Sequence, residues 1–98
     1  MKSTSEILDI LREFKRTSGE KYGIEKLAVF GSVARGEQRE ESDIDICMKV
    51  IKSIDYFVLE DIREELEKLF GTKVDLLTLH DNMRQLFRQR IEQDAIYI

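Results

Sequence analysis

The chain has 98 residues, of which 42% are hydrophobic and 37% are charged, and its net charge at pH 7 is −4. These proportions are typical of a globular protein rather than a disordered one, and the length predicts a single domain, residues 1–98, with one modest core. The acidic balance argues against direct nucleic-acid binding, which depends on many contacts between basic side chains and phosphates.

The first quarter of the chain predicts a helix followed by a buried strand. Within residues 4–21, the apolar residues that recur at helical spacing are Ile7, Leu8, Leu11 and Phe14. Ser3 and Glu6 have the spacing of a capping box at the start of this helix. Gly23 ends the pattern, and the apolar run Ile24–Phe30 then predicts a buried strand.

The next segment predicts a short helix at 32–36, a polar loop at 37–42 and a strand at 43–50. In that strand, one alternating set is Ile44, Ile46, Met48 and Val50, and the other is Asp43, Asp45, Cys47 and Lys49. Because successive strand residues point to opposite faces, we expect the apolar set to face the helices. The carboxylates should then lie on the other face of the sheet, which is left open for chemistry.

The second half predicts a helix at 55–70, a strand at 74–78 and a last helix at about 83–95. The first helix carries the apolar stripe Leu59, Ile62, Leu66 and Leu69, with Phe70 beside it and Gly71 at its end. The last helix, with Asp81 or Asn82 as its expected cap, has the predicted apolar side Met83, Leu86, Phe87, Ile91 and Ala95. The final "DAIYI" predicts an edge strand or a partner contact. Alternation of this kind favours an α/β or α+β layer fold.

Asp43 and Asp45 are the first candidate site residues. On a strand they would share one face, roughly 6.6 Å apart along the chain. Two carboxylates so placed repel each other unless a cation lies between them, and Mg²⁺ prefers one or two carboxylates with water and phosphate oxygens. Two metals about 3.5–4 Å apart can stabilise both oxygens of a phosphoryl displacement. The alternative is a solvated strand face that happens to hold two aspartates.

Gly31, Ser32 and Asp75 are the next candidates. A glycine at a strand end lets the backbone approach a ligand, and the N–H groups at the start of the following helix can bind phosphate. A plain strand–turn–helix junction, with Ser32 as a cap, is the alternative. Asp75 is predicted on the polar face of its strand, where it would join the other two carboxylates if that strand neighbours 43–50 in register.

The combined pattern is more specific than any of its parts. Gly31-Ser32, ten residues and then Asp43-Ile44-Asp45 resemble the G-S-x10-D-x-D signature of the DNA polymerase beta-like nucleotidyltransferase superfamily. The wider string "FGSVARGEQREESDIDI" is similar to the minimal nucleotidyltransferases (MNT), which are encoded beside HEPN-domain partners. The resemblance covers nearly the whole chain. It implies a small mixed sheet with helices packed on one face.

The same resemblance implies roles for the three carboxylates and the glycine–serine pair. Gly31 and Ser32 would hold the triphosphate of ATP. Asp43 and Asp45 would bind Mg²⁺, of which we expect two ions. Asp75 would complete the metal site or help to deprotonate the acceptor.

Two further residues match flanking positions of the family pattern. Arg35 would contact a phosphate, although it could equally form a surface ion pair with Glu37 or Glu41. Ser42 would cap or orient the loop that enters the strand.

The resemblance implies an enzyme that transfers AMP from ATP to a hydroxyl group. In an MNT protein the acceptor would be a tyrosine of a HEPN-domain toxin, and the enzyme would be the antitoxin. One alternative is a non-catalytic antitoxin that binds its toxin, and another is a small-molecule nucleotidyltransferase of the aminoglycoside-modifying kind. The residues leave open whether the chain forms a homo-oligomer.

The remaining expectations concern location and three uncharged residues. Cys47 is the one cysteine, so no internal disulfide can form, and it is expected to be a small residue on the strand face rather than a nucleophile. Tyr56 and Phe57 are expected in the core or in a dimer seam. With no signal peptide and no apolar run of membrane-span length, we expect a cytoplasmic protein without membrane contact.

Overall fold

The structure is a computed structural model that describes residues 2–37, 43–80 and 83–98. Its elements in chain order are α1 (Thr4–Tyr22), β1 (Ile24–Phe30), α2 (Gly31–Ala34), β2 (Ile44–Val50), α3 (Tyr56–Phe70), β3 (Val74–Thr78), α4 (Gln85–Asp94) and β4 (Ile96–Tyr97). The predicted order of helices and strands is confirmed, including the terminal edge strand. In the described ranges, no helix combines the length and the apolar character needed to cross a membrane.

The four strands form one mixed sheet in the order β3-β2-β1-β4. Strand β1 pairs antiparallel with both β2 and β4, whereas β2 and β3 run parallel. A parallel pair needs a crossover connection, which here contains α3. This small mixed sheet with its helices confirms the predicted fold class.

The main core lies between the sheet and the helices α1 and α3. Its fully buried members include Ile7 and Leu11 from α1, Leu27 and Val29 from β1, Ile44, Ile46 and Met48 from β2, and Ile62 and Leu66 from α3. The apolar set of β2 therefore faces the helices, as its alternation predicted. Burial of this set fixes the face of β2 on which Asp45 must lie.

The capping box at the start of α1 is also confirmed. The Ser3 hydroxyl accepts a hydrogen bond from the Glu6 backbone N–H at 3.1 Å, and the Ser3 N–H donates to the Glu6 carboxylate at 3.2 Å. Helix α3 begins in a related way, since the Asp55 side chain accepts from the Val58 N–H at 2.9 Å. These polar residues set where the two core helices begin.

The second face of the sheet was predicted to be open, but helix α4 covers part of it. Ile91 of α4 packs in a buried cluster with Ala28, Cys47 and Leu79. Burial raises the pKa of the Cys47 thiol to about 11, so this cysteine is a core residue and not a nucleophile. The open part of the second face is therefore the end of the sheet at which β2 and β3 begin.

Two predicted helix stripes were wrong in detail. Leu69 is 49% exposed because it is rotated by about 100° from Phe70, which fills the core at that turn. Leu86 is 74% exposed because it lies five residues, or about 140° around the helix, from the buried Ile91. Phe87 is half exposed at the edge of that face.

The last helix is also shorter than predicted. It spans Gln85–Asp94 rather than about 83–95, and its N-cap is Arg84, which makes no side-chain capping hydrogen bond. Asp81 and Asn82, the expected caps, lie outside the described residues.

The expectation of core packing was wrong for Tyr56 and Phe57. Their side chains are 67% and 77% exposed and contact each other edge to face, with ring centroids 6.0 Å apart. Both occupy the first turn of α3, on the side away from Ile62. Their alternative role in a dimer seam stays a prediction.

Candidate active site

Helix α2 follows β1 without a loop and is held in place by Val33. Val33 is fully buried in the main core, and its carbonyl accepts a hydrogen bond from the Thr4 hydroxyl at 3.2 Å. The helix begins at Gly31, one residue before the predicted start, and ends at Ala34. Its first N–H groups therefore open at the end of β1, where a helix leaves them without intrahelical acceptors.

Gly31 is in close contact with the side chain of Asp45. Its φ of 67° lies in the left-handed region that favours glycine. A Cβ placed on Gly31 would overlap the Asp45 carboxylate oxygen Oδ2 and lie 3.1 Å from its Cγ. Glycine is thus needed here for its backbone conformation and for the space that Asp45 occupies.

Asp45 has a register partner on each neighbouring strand. It pairs with Phe30 of β1, the residue before Gly31, and with Asp75 of β3. Neighbouring strands lie about 4.8 Å apart, and register partners point to the same face. The prediction that Asp75 joins Asp45 on one face, if the two strands are neighbours in register, is therefore confirmed.

Hydrogen bonds to the Lys73 carbonyl, just before β3, and to the Glu67 side chain of α3 support this register. The Ile44 N–H donates to the Lys73 carbonyl at 3.0 Å, which extends the ladder to the residue between Asp43 and Asp45. The Val74 N–H donates to the Glu67 carboxylate of α3 at 2.9 Å. Helix α3 thereby holds the start of β3, one residue before Asp75.

The electrostatics of Asp45 show that charged groups surround it. Partial burial is the largest cause that raises the pKa of Asp45, and the negative charges of Asp75 and Asp43 raise it further. The positive charge of Arg35 lowers it. Asp75 is exposed, and so is Asp43, which lies just before β2. The free protein therefore holds a cluster of repelling carboxylates, which a cation would relieve.

These carboxylates do not form a complete protein cage. Within the residues that the structure describes, no group of three or more histidine, cysteine, aspartate or glutamate side chains is arranged to hold a metal ion. Mg²⁺ does not need such a cage, because it keeps several waters and takes one or two carboxylates with substrate phosphates. The donor chemistry of Asp45 and Asp75, with Asp43 nearby, fits this ion.

Arg35 is held by two carboxylates. Its Nε donates to Glu37 at 3.1 Å, and its Nη1 donates to Asp94 of α4 at 3.0 Å. The pairing with Glu37 was one of the two predicted alternatives. The contact with Asp94 was missed, because no local pattern relates residues that are 59 positions apart.

The other two predicted site residues are less defined. Ser32 is half buried, and its side chain makes no hydrogen bond among the described residues, so its hydroxyl is available to a ligand. Ser42 lies outside the described residues, as does Glu41, the other predicted partner of Arg35. Their roles stay predictions.

A separate cleft lies next to the start of β2. This cleft of about 600 Å³ lies between the start of α1, the start of β2 and the end of α3, and its lining includes Glu6, Ile44 and Phe70. None of the six predicted site residues that the structure describes lines it. The register and charge of the carboxylates are the informative features.

Comparison with known proteins agrees with this geometry. The family model described as "Polymerase beta, Nucleotidyltransferase" matches residues 6–98. The chain belongs to this nucleotidyltransferase family. A candidate protein adenylyltransferase of Methanocaldococcus jannaschii is 42% identical over 98 residues, which is 100% of both chains. The protein adenylyltransferase MntA of Thermococcus cleftensis is 32% identical over 100 residues, covering 100% of this chain and 98% of that one.

A solved structure shares the fold. It is the complex of a tri-AMPylated HEPN toxin of Shewanella oneidensis with an MNT antitoxin. The match has a TM-score of 0.62 at 18% identity and covers 96% of this chain and 66% of that chain. This likeness and the family match confirm the predicted fold. The family match and the two relatives confirm the prediction of a nucleotidyltransferase enzyme.

Gly31→Ala tests the contact with Asp45, and Gly36→Ala is its matched control. Gly36 also has a positive φ, of 72°, but a Cβ there would meet no atom within 4 Å. Both variants should lose about 1 kcal/mol of unfolding free energy from backbone strain. Gly31→Ala alone should also reduce nucleotidyl transfer by about 100-fold, since it displaces the Asp45 carboxylate. Equal losses of activity in the two variants would contradict the role of this contact.

Asp45→Asn should stabilise the metal-free protein at pH 7, because it removes the burial cost and the repulsion that raise the pKa of Asp45. Because the pKa of Asp45 is raised in the folded state, the folded wild type becomes more stable as the pH falls and Asp45 takes up its proton. The difference in stability between Asp45→Asn and the wild type should therefore shrink towards about pH 4. Thermal unfolding in a chelator measures both effects. Asp61→Asn, at an exposed position of α3, should change the melting temperature little. A lower melting temperature for Asp45→Asn at pH 7 would refute the repulsion.

Proposed function

We propose that this protein transfers AMP from ATP to a hydroxyl group of a partner protein. The observation that carries the proposal is the register pairing of Asp45 with Asp75 beside Gly31, in a chain of the nucleotidyltransferase family. Two relatives that align with the whole chain carry the name of protein adenylyltransferase. Their names favour a protein acceptor over a small molecule.

The donor ATP would lie at the junction of β1 and α2. Gly31 and Ser32 would hold its triphosphate through the backbone N–H groups at the start of α2 and the Ser32 hydroxyl. Arg35 would contact a phosphate with those N–H groups that Glu37 and Asp94 leave unused. Ser42 would orient the segment that leads into β2.

Asp43, Asp45 and Asp75 would hold magnesium, and we propose two ions. When bound, magnesium would offset the repulsion among the carboxylates and stabilise the negative charge that develops on the phosphate oxygens. Asp45 is half buried and packed against Gly31, so its carboxylate is held in place. This rigidity suits a residue that fixes the position of a reacting phosphate.

The transfer itself exchanges one phosphorus–oxygen bond for another. The acceptor oxygen forms a bond to the α-phosphorus of ATP, and the bond from that phosphorus to the β-phosphate bridging oxygen breaks, so pyrophosphate leaves. The exposed Asp75 would accept the proton of the acceptor hydroxyl, because it faces the open side of the sheet. Positioning and charge stabilisation would supply most of the rate enhancement.

The acceptor is proposed to be a tyrosine of a HEPN-domain toxin, for which this protein would be the antitoxin. The solved complex of an AMPylated HEPN toxin with an MNT antitoxin of the same fold supports this pairing. The described residues are taken up by the nucleotidyltransferase fold, which leaves no separate acceptor-binding domain among them. We place the reaction in the cytoplasm, where the buried free thiol of Cys47 would stay reduced.

The direct test is the intact mass of the HEPN-domain partner after incubation with the purified protein, ATP and magnesium. We expect a gain of one or more AMP units. Asp45→Asn should abolish the gain, because it removes one of the paired carboxylates, whereas Asp61→Asn should retain it. An unchanged mass, with a stable complex that still silences the partner, would overturn the enzymatic proposal and leave a binding antitoxin.

A further inference from the structure

The ion pair between Arg35 and Asp94 joins two distant parts of the chain. Arg35 follows α2 directly, and Asp94 is the last residue of α4. The Nη1 of Arg35 lies 3.0 Å from the Asp94 Oδ2, and the two side chains are 46% and 35% exposed. The Glu37 side chain, which also pairs with Arg35, is 64% exposed. Asp94 is therefore the less exposed of the two carboxylates that hold Arg35.

Asp94 does not stabilise the helix in which it lies. A carboxylate in the last turn opposes the helix dipole, which places partial negative charge at that end. The groups left unsatisfied at this end of a helix are carbonyls, which a carboxylate cannot cap, and the Ala95 N–H is already bonded to the Ile91 carbonyl. The contact that Asp94 contributes is therefore the one with Arg35.

The guanidinium keeps donors for a ligand while it is held. It has five N–H groups, of which the Nε–H goes to Glu37 and one on Nη1 goes to Asp94. Its charge is close enough to the carboxylate cluster to lower the pKa of Asp45. Arg35 is therefore fixed near the cluster with Nη2 unused by either carboxylate.

We propose that Asp94 is a positioning residue, which holds the Arg35 guanidinium beside Gly31 and Ser32 in the orientation that meets the phosphates of the bound nucleotide. This inference rests on the proposed function, because it assumes that the nucleotide binds at that turn. A long side chain that is immobilised before binding improves affinity by about threefold to tenfold. The C-terminal helix thus contributes to nucleotide binding without touching the nucleotide.

The test compares Asp94→Asn with the wild type in the purified full-length protein. Calorimetric titration with ATP and magnesium, without a partner, should show a Kd raised about threefold to tenfold. The KM for ATP in AMP transfer should rise in parallel, while kcat changes by less than about twofold. The melting temperature should not fall, since the substitution relieves the conflict with the helix dipole.

Two comparison variants separate positioning from a general effect on α4. Glu92→Gln neutralises another carboxylate of the same helix, which pairs with Arg88 at 3.1 Å, and it should leave the Kd unchanged. Asp94→Glu keeps the carboxylate and should lie nearer to the wild type than to Asp94→Asn. In an Arg35→Ala background, Asp94→Asn should have no further effect on the Kd, because it acts through Arg35.

An unchanged or lower Kd for Asp94→Asn would overturn the inference, as would a full effect of Asp94→Asn in the Arg35→Ala background. Failure of the proposed function has a different signature. A wild type that binds ATP but modifies no partner would sink the AMP-transfer proposal alone, and the titrations would still decide the role of Asp94. A wild type that binds no ATP would overturn both.

Discussion

Asp45 and Asp75 are register partners on two parallel strands, and the rest of the site is arranged around the cost of holding them together. Their mutual repulsion and the partial burial of Asp45 work against folding, as the raised pKa of Asp45 indicates. The opposite face of β2 offsets that cost, because Ile44 and Ile46 are buried in the main core and fix the strand. The free energy gained by burying one face of β2 thus offsets the cost of the carboxylates on the other face.

The glycine–serine turn follows from the same constraint. Asp45 fills the space in which a side chain at position 31 would lie, so the residue after β1 must be glycine if the carboxylate is to stay where it is. Helix α2 then starts beside the carboxylates, with Val33 anchored in the core. Phosphate-binding and metal-binding groups are therefore brought together by one close contact between adjacent strands, and they need no long loop.

Most of the carboxylate cluster could be predicted from the sequence, because the alternation of faces along a strand depends only on neighbouring residues. Ile44, Ile46 and Met48 alternate with the carboxylates and determine which face these take, so only the neighbouring position of β3 remained to be found. The exposure of Leu86 and the contact between Asp94 and Arg35 could not be predicted in this way. Both depend on how α4 crosses the second face of the sheet, which is set by tertiary packing around Ile91.

The central claim is that Asp45 and Asp75 form a metal-binding pair beside a triphosphate site. The most direct measurement is a crystal structure with Mn²⁺ and a non-hydrolysable ATP analogue, in which anomalous scattering locates the metal. We predict a metal peak coordinated by the carboxylates of Asp45 and Asp75, with the triphosphate at Gly31 and Ser32. A metal bound elsewhere, with both carboxylates unliganded and the triphosphate away from that turn, would contradict the account.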